Sequence, residues 1–495
     1  MLRGVTLALT AAVVTALVPA LPASADPTSV DTGFNGGAVV LGTGTHDEYL
    51  AAMSVLGSGK VMVLMLEPST SPALVLYRLN ANGRPDTSFG GGDGKVGFAA
   101  ADNYEDVALA VDPSSGRSYV STFLDNGTTS PTTVWRITSK GAVDTSYGTG
   151  GHKTFNERLV HALLPLPHGK LLMAGDDFAA HSADVWQLTG SGNTDTSYGV
   201  GGAVVVSSSS NDEATSLAKQ DDGKVVVAAS HYSPTASTLL VFRLRTNGSL
   251  DPGFSGDGEA VIDPSAPPTT TSTVWTPQVL LRPDGRMVFV AGLNQKSSGT
   301  FVNTLLAAGL TKGGNPDPVF GTHVYTNATE TWGQAVLERD GKVILTGTQP
   351  PNPATTSLVL RLTTTGALDP TWAGDGSLAI TPANDNMGVG IAPEGRVIVG
   401  RTIHRATYDV ALKALRGSPT PSCHGRLATQ YGTNGPDRLV GTSHADVLVG
   451  RGGADVLKGL GGNDTLCGNG GDDKLYGGSG KDTLIGGTGL DLIRQ

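Results

Sequence analysis

Two rhythms of apolar and polar residues run along this chain, and neither has a sustained helical period. Between residues 31 and 416, short β-branched runs alternate with clusters of Gly, Asp, Asn and Ser. The stretch after Asp195 shows the content: Gly202–Val206, Glu213–Lys219, the turn Asp221–Gly223, Lys224–Ala229 and Thr238–Leu244. These are four strand candidates bounded by turn residues, and the Asp-Gly step between two of them is a hairpin signal. From residue 433 the rhythm tightens to one aliphatic side chain every nine positions: Leu439, Leu448, Leu457, Leu466, Leu475, Leu484 and Ile493. Each is the centre of a strand-like triplet, its side chain pointing inward and its flanks outward.

The first rhythm has a long period marked by two anchors. One is Asp-x-x-aromatic, beginning at Asp31, Asp86, Asp144, Asp195, Asp251, Asp317 and Asp369 and ending on Phe34, Phe89, Tyr147, Tyr198, Phe254, Phe320 and Trp372. The other is a Gly-basic turn: Gly59-Lys60, Gly116-Arg117, Gly169-Lys170, Gly223-Lys224, Gly285-Arg286, Gly341-Lys342 and Gly395-Arg396. The two alternate strictly through seven units. Four short antiparallel strands per unit, repeated at this spacing, predict propeller blades. Radial repetition also hides sheet edges that a free four-stranded sheet would expose. The predicted fold is all-β: a seven-bladed β-propeller over 31–416, a Pro-rich polar linker over 417–432, and a parallel β-roll over 433–495. Six or eight blades and a β-solenoid are the competing architectures, and the strand that closes the ring is left open. The phrase Asn247-Gly-Ser-Leu-Asp-Pro-Gly-Phe254, recurring as Asn82-Gly-Arg-Pro-Asp-Thr-Ser-Phe89, resembles the delta-60 family of bacterial propeller-like repeats. That resemblance implies a fold and no chemistry. The anchor aspartates read as structural, each bonding backbone N–H groups at the start of a turn, with the aromatics packed between blades.

The second rhythm carries a ligand signal. An aspartate recurs every ninth position: Asp437, Asp446, Asp455, Asp464, Asp473, Asp482 and Asp491, with glycine-rich loops between. If two nonads make one turn, each carboxylate stacks near the one eighteen residues on, about 4.8 Å away. Like charges at that distance repel by about 1 kcal/mol in water and by several at a lower effective dielectric. One leucine per nonad is a thin core to set against this. A hard dication between the loops reverses the sign, and Ca²⁺ accepts six to eight carboxylate and carbonyl oxygens where Mg²⁺ demands stricter geometry. Residues 433 to 493 closely resemble the RTX, or haemolysin-type, calcium-binding repeat G-G-x-G-x-D-x-U-x. The resemblance implies calcium between loops two nonads apart, at most five sites for seven loops. Asn434-Gly-Pro-Asp437 carries a proline, and Gly441-Thr-Ser-His-Ala-Asp446 lacks the glycine two before its aspartate. These departures reduce the expectation to three sites.

Met1–Ala25 reads as a secretory signal peptide: Arg3, an apolar run from Val5 to Leu17, and the small-x-small site Ala23-Ser-Ala25. No later stretch approaches the length of a membrane span. The net charge of -10 argues against nucleic acid, which wants a basic face. An exported chain meets an oxidising compartment, where Cys423 and Cys467 are expected to pair. Closing that loop stabilises by about 4 kcal/mol on the chain-entropy model.

Signs of catalysis are few. No H-E-x-x-H, G-x-S-x-G or phosphate-loop motif occurs. Four of the ten histidines fall between His152 and His181, in different positions of their unit, and read as surface-loop residues. Carboxylate pairs for glycoside cleavage come from different blades and have no sequence signature. Irregular stretches are the better place for a partner: Pro264–Thr271, Asn294–Thr300 and Asp125–Pro131. The reading is a secreted, non-catalytic calcium-binding protein, with Ca²⁺ as its cofactor and a propeller that recognises an envelope polymer, a glycan or a protein. A secreted propeller enzyme acting on polysaccharide, or a cell-surface adhesive or structural protein, is the alternative.

Overall fold

A computed structural model describes residues 9–11 and 30–495, apart from 43–44, 69, 71, 99–103, 125–129, 181, 209–211, 232–237, 265–270, 298–299, 326–332, 349–356, 382–386, 394, 405–406, 416–420 and 433–434. Most of 1–25, read as a signal peptide, therefore lies outside the described residues. Leu9–Ala11 pairs parallel with Val107–Leu109.

Seven antiparallel sheets make a seven-bladed propeller. Blade 1 takes its strands, from innermost outward, from Tyr49–Val55, Val61–Leu66, Leu74–Leu79 and Lys95–Phe98. Blade 2 begins at Tyr104–Val111, blade 3 at Arg158–Pro165, blade 4 at Asp212–Lys219, blade 5 at Thr271–Leu281 and blade 6 at Ala335–Leu337. Blade 7 contains Met387–Ile391, Val397–His404 and Tyr408–Leu415, and Ala38–Leu41 from the start of the chain supplies its outermost strand, pairing with Val410–Lys413. Gly36–Leu41 thus completes the last blade, and strand hydrogen bonds close the ring.

The blades are offset from the sequence units. Ala203–Ser207, which opens the run after Asp195, pairs with Ser182–Leu188 as the outer strand of blade 3. The strands that follow it belong to blade 4. An Asp-to-Asp unit straddles two blades because the anchor aspartate sits in the turn between a third and a fourth strand.

That turn explains why two anchors alternate. In every unit the basic residue of the Gly-basic turn faces the following anchor aspartate: Lys60–Asp86, Arg117–Asp144, Lys170–Asp195, Lys224–Asp251, Arg286–Asp317, Lys342–Asp369 and Arg396–Asp31, at 2.5–3.6 Å. In four blades a buried arginine eight residues before the aspartate adds a second pair: Arg78–Asp86, Arg136–Asp144, Arg243–Asp251 and Arg361–Asp369, at 2.6–2.9 Å. Three of these arginines also donate to a carbonyl of the next blade, Ser139, Gly190 and Lys312 in turn. All four stack on the unit's aromatic ring, 4.4–5.0 Å from its centre. The aspartate's other oxygen accepts the N–H two residues on, as from Ser88 and Thr371. The seven aromatics are buried and abut the next blade. Gly141 (φ +78°) shows the fit, since a Cβ there would lie 2.8 Å from the Phe89 ring.

Among the loops proposed for partners, most of Pro264–Thr271 and Asp125–Pro131 lies outside the described residues. Asn294–Thr300 is a correction. Rather than an irregular loop, it is largely strand, because the second and third strands of blade 5 run eleven residues each, Met287–Ser297 and Thr300–Leu310, and stay paired to Ser297↔Thr300.

The C-terminal residues wind into two parallel sheets of four strands. One holds Gln430–Tyr431, Val447–Gly452, Thr465–Gly470 and Thr483–Thr488. The other holds Arg438–Val440, Val456–Gly461, Lys474–Ser479 and Leu492–Arg494. Partners are eighteen residues apart, as in Leu448↔Leu466 and Leu457↔Leu475. Leu439, Leu448, Leu457, Leu466 and Leu475 fill the space between the sheets.

The stretch 417–432, read as an exposed linker, is one only in part. Cys423, Ala428 and Tyr431 are buried against Val447, Val449 and Cys467, and Cys423 is disulfide-bonded to Cys467. As a flank of Leu466 in its triplet, Cys467 is expected to face outward, yet it is 5% exposed, because this segment covers that side of the first turns. Arg339, on a blade 6 turn, donates to the Ala428 carbonyl and ties the roll's lead-in to the propeller.

Candidate metal centre

The roll places the nonad aspartates in two stacked columns. In five of the seven, Asp455, Asp464, Asp473, Asp482 and Asp491, one carboxylate oxygen is spent on the fold. The backbone N–H of Asp437, Asp446, Asp455, Asp464 and Asp473 donates to Oδ1 of the aspartate eighteen residues on, at 2.8–3.0 Å. The other oxygen is turned inward. Oδ2 of Asp455, Asp464, Asp473 and Asp482 is buried and accepts no hydrogen bond among the described residues. A buried carboxylate oxygen without a partner is costly, and four in register call for a common explanation.

The space each oxygen faces is small and lined by oxygen. A Cβ built on Gly450 would lie 2.3 Å from Asp455 Oδ2 and 2.8 Å from the carbonyl oxygen of Gly468. The same pair recurs over Gly459, with Asp464 Oδ2 at 2.2 Å and Gly477 O at 2.5 Å, and over Gly468, with Asp473 Oδ2 at 2.2 Å and Gly486 O at 2.6 Å. Glycine is therefore needed at the head of the loop because a side chain would fill the cradle. The donors are carboxylate and carbonyl oxygens without nitrogen or sulfur, which suits a hard divalent cation. Burial, together with the charges of Asp473 and Asp437, pushes the Asp455 carboxyl up to about 6 against the opposing N–H of Asp437. Asp464 and Asp473 are raised in the same way, burial first and neighbouring aspartates after it.

The remaining sequence candidates sit differently. Asp446 Oδ2 is taken up by its own loop, accepting the backbone N–H of Thr442 at 2.7 Å and its hydroxyl at 3.0 Å. Thr442 stands where the next loop has Arg451 at φ +78°, and its hydroxyl supplies a local donor. Asp437 Oδ2 lies 2.6 Å, and the Gly450 carbonyl 2.8 Å, from a Cβ built on Gly432, but Pro436 occupies this loop. Asp482 and Asp491 border Gly477 and Gly486, where a Cβ would lie 2.4 and 2.2 Å from their Oδ2 atoms.

Sequence reasoning missed a second set of residues, on the propeller. His161 is buried, a correction to its reading as a surface-loop residue. Its Nδ1 lies 2.6 Å from Asp106 Oδ2 on the innermost strand of blade 2, and its Nε2 lies 3.2 Å from Asp176 Oδ2 in blade 3. The signal was its place on an inner strand, Leu159-Val160-His161-Ala162-Leu163, where its neighbours are apolar. His181 lies outside the described residues. A second group, His46, Glu48 and Glu67, gathers where blade 7 meets blade 1.

A propeller joined to a stack of oxygen-lined glycine loops defines the class, and family matches agree in both parts. The RTX calcium-binding nonapeptide repeat (4 copies) matches residues 431–466 and 459–493. The domain of unknown function DUF5122 beta-propeller matches residues 67–89, 220–254 and 338–371. The C-terminal part of the chain thus carries calcium-binding RTX repeats, and the N-terminal part carries repeats of that propeller family. No curated protein matches the chain. Among solved structures it is similar to the polysaccharide lyase Uly1, at 10% identity over 75% of this chain and 90% of that one, with a TM-score of 0.43. It is also similar to the Penicillium chrysogenum alpha-L-arabinanase, at 10% identity over 76% and 96%, TM-score 0.39. A third is a calcium-binding regucalcin from Agrobacterium tumefaciens, at 13% identity over 63% and 91%, TM-score 0.34. Likenesses this loose bear no weight on function.

Proposed function

We propose that this is an exported calcium-binding protein whose roll is completed by Ca²⁺ held between loops eighteen residues apart. The observation that carries the reading is the column of buried, unpartnered Oδ2 atoms of Asp455, Asp464 and Asp473, each beside the carbonyl of Gly468, Gly477 or Gly486. Those three loop pairs are the principal sites. Asp437 and Asp446 belong to the first two pairs, whose loops depart from the pattern. Asp482 and Asp491 close the last two principal sites through their Oδ1 bonds. Binding at such a site is folding free energy, so the roll is ordered where calcium is abundant and loosens where it is scarce. Affinity in the extracellular range, about 10⁻⁴ to 10⁻³ M, makes the switch follow export. The signal peptide read in residues 1–25 and the disulfide Cys423–Cys467 support that compartment. Among the described residues no helix is long and apolar enough to cross a membrane.

The propeller is read as a non-catalytic recognition platform for an envelope polymer, a glycan or a protein. Its repeated Asp, Arg and aromatic residues are spent on holding blades together, so the motif supplies scaffold and leaves recognition to faces and loops. Calorimetric titration of the full chain with Ca²⁺, and in parallel with Mg²⁺, tests the central claim. Uptake of about three Ca²⁺ per chain with a gain of β signal by circular dichroism is the expected result. Equal responses to Mg²⁺, or none to millimolar Ca²⁺, would sink it.

A further inference from the structure

The propeller ring is closed by strand hydrogen bonds between Ala38–Leu41 and Val410–Lys413, and beside that seam lies a cluster of different chemistry. The connector from the closing strand to blade 1 brings in His46 and Glu48, and the end of the second strand of blade 1 brings in Glu67. His46 Nε2 lies 3.5 Å from Glu48 Oε1 and 3.6 Å from Glu67 Oε2, and the three ligand atoms are all within 4.8 Å of one another.

These separations are informative. They are longer than a charged N–H···O hydrogen bond, about 2.7–2.9 Å. The two distances from His46 Nε2 match the edge of a tetrahedron whose bonds are about 2.0–2.2 Å, as for nitrogen and oxygen donors on zinc, an edge of about 3.3–3.6 Å. The donors are also held in place. The connector is fixed to blade 7, since the Glu48 N–H donates to the Tyr408 carbonyl at 2.8 Å and Asp47 Oδ1 accepts the Tyr408 N–H at 3.1 Å. The other imidazole nitrogen, Nδ1, is 3.0 Å from Thr45 Oγ1, the outer-shell arrangement that orients a metal-bound histidine. Glu48 fits only because residue 42 is glycine, since a Cβ there would lie 1.8 Å from Glu48 Oε2 and 3.1 Å from Asp409 Oδ1. Two buried carboxylates, Glu48 and Glu67, therefore converge on one imidazole, with a third, Asp409, behind Glu48. The His46 side chain is 23% exposed, which leaves a way in for an ion.

We propose that His46, Glu48 and Glu67 form a zinc-class transition-metal site on the propeller, separate from the calcium loops, that pins the ring-closing connector to blade 1. An imidazole donor selects against Ca²⁺, so the two metals are sorted by chemistry. Two carboxylates and a neutral imidazole neutralise a dication, and a water molecule completes the tetrahedron.

The test uses the full chain, stripped of metal and then held in saturating Ca²⁺ so that the roll is filled. Calorimetric titration with Zn²⁺ is expected to show one further ion per chain. His46→Ala and Glu67→Gln are each expected to weaken it by about tenfold or more, while the Ca²⁺ stoichiometry of both stays that of the parent. Co²⁺ in place of Zn²⁺ is expected to give the visible absorption of a tetrahedral site, lost in His46→Ala. His231→Ala, at a separate His–Asp pair in blade 4, is expected to change nothing. The proposal is overturned if the Ca²⁺-filled parent takes up no Zn²⁺, if His231→Ala removes the ion while His46→Ala keeps it, or if His46→Ala and Glu67→Gln both keep full affinity. Glu67→Gln is isosteric and keeps the test decisive should His46→Ala fold poorly.

Discussion

Arg243 Nε donates to Asp251 Oδ2 at 2.8 Å, and both side chains are buried at the edge where blade 4 meets blade 5. The same guanidinium donates to the Lys312 carbonyl of the next blade and covers the Phe254 ring. Removing one partner of such a pair strands the other. Arg243→Ala is therefore expected to destabilise the propeller by about 3–5 kcal/mol, read from denaturant unfolding. Lys224→Ala, which takes away the more exposed cation facing Asp251, is expected to do markedly less. Equal losses would mean that the aspartate, not the buried guanidinium, is the main holding point.

The calcium loops make a stoichiometric prediction. Asp464→Asn is expected to remove at least one Ca²⁺ from the calorimetric count. Gly459→Ala should do the same from the opposite wall, because its methyl group would sit 2.2 Å from Asp464 Oδ2 and 2.5 Å from the Gly477 carbonyl. Asp446→Asn is expected to leave the count unchanged, since Thr442 already occupies that Oδ2. Loss of a calcium ion in Asp446→Asn would show that Thr442 gives way to the metal.

Much of this was legible in the sequence, for definable reasons. A fixed period is a global constraint that a single chain displays in full, so seven blades and an eighteen-residue roll repeat could be read from spacing. The pairing of Lys170 with Asp195 lay in the same data as the alternation of two anchors, but only the fold shows that the alternation is a salt bridge. Boundaries were harder. The linker had the composition of an exposed tether, yet Cys423 and Tyr431 cap the roll, because burial of a few residues leaves no periodic trace. His161 and the group around His46 were hidden for another reason: their partners come from other blades or strands, and no spacing rule connects Asp106 to His161 or His46 to Glu67.

The disulfide adds a redox prediction. Cys423–Cys467 closes a 44-residue separation that spans the lead-in and the first turns of the roll. On the chain-entropy model its reduction costs about 4 kcal/mol. Cys423→Ser, or reductant, is expected to lower the roll's melting temperature and shift its calcium titration to higher concentration, with the propeller transition unmoved. Calorimetric scans at fixed Ca²⁺ check this, and an unchanged roll transition would show that packing of Tyr431 and Val449 suffices.

His161 makes the propeller sensitive to pH. Burial alone would lower its pKa, but Asp106 and Asp176, one on each ring nitrogen, outweigh it and raise it well above the ordinary value. Glu213, on the innermost strand of blade 4, faces the same group, and burial first, with Asp176 and Asp106 after it, raises its carboxyl against the pull of His161. The group is thus held as an imidazolium that cements blades 2 and 3. The sign follows from linkage: with the folded pKa above the unfolded value of about 6.5, the stabilisation is complete below that pH and is lost as pH rises through the folded value. The parent's melting temperature is therefore expected to fall from neutral to alkaline pH more steeply than that of His161→Leu. The variant should also be less stable near pH 7, by about 3–5 kcal/mol, because Asp106 and Asp176 are left facing each other. Taking the difference between the two curves cancels the lysines and tyrosines that titrate in both proteins. Parallel curves would mean that His161 is neutral in the fold, and the blade 2–blade 3 seam would then rest on its apolar residues.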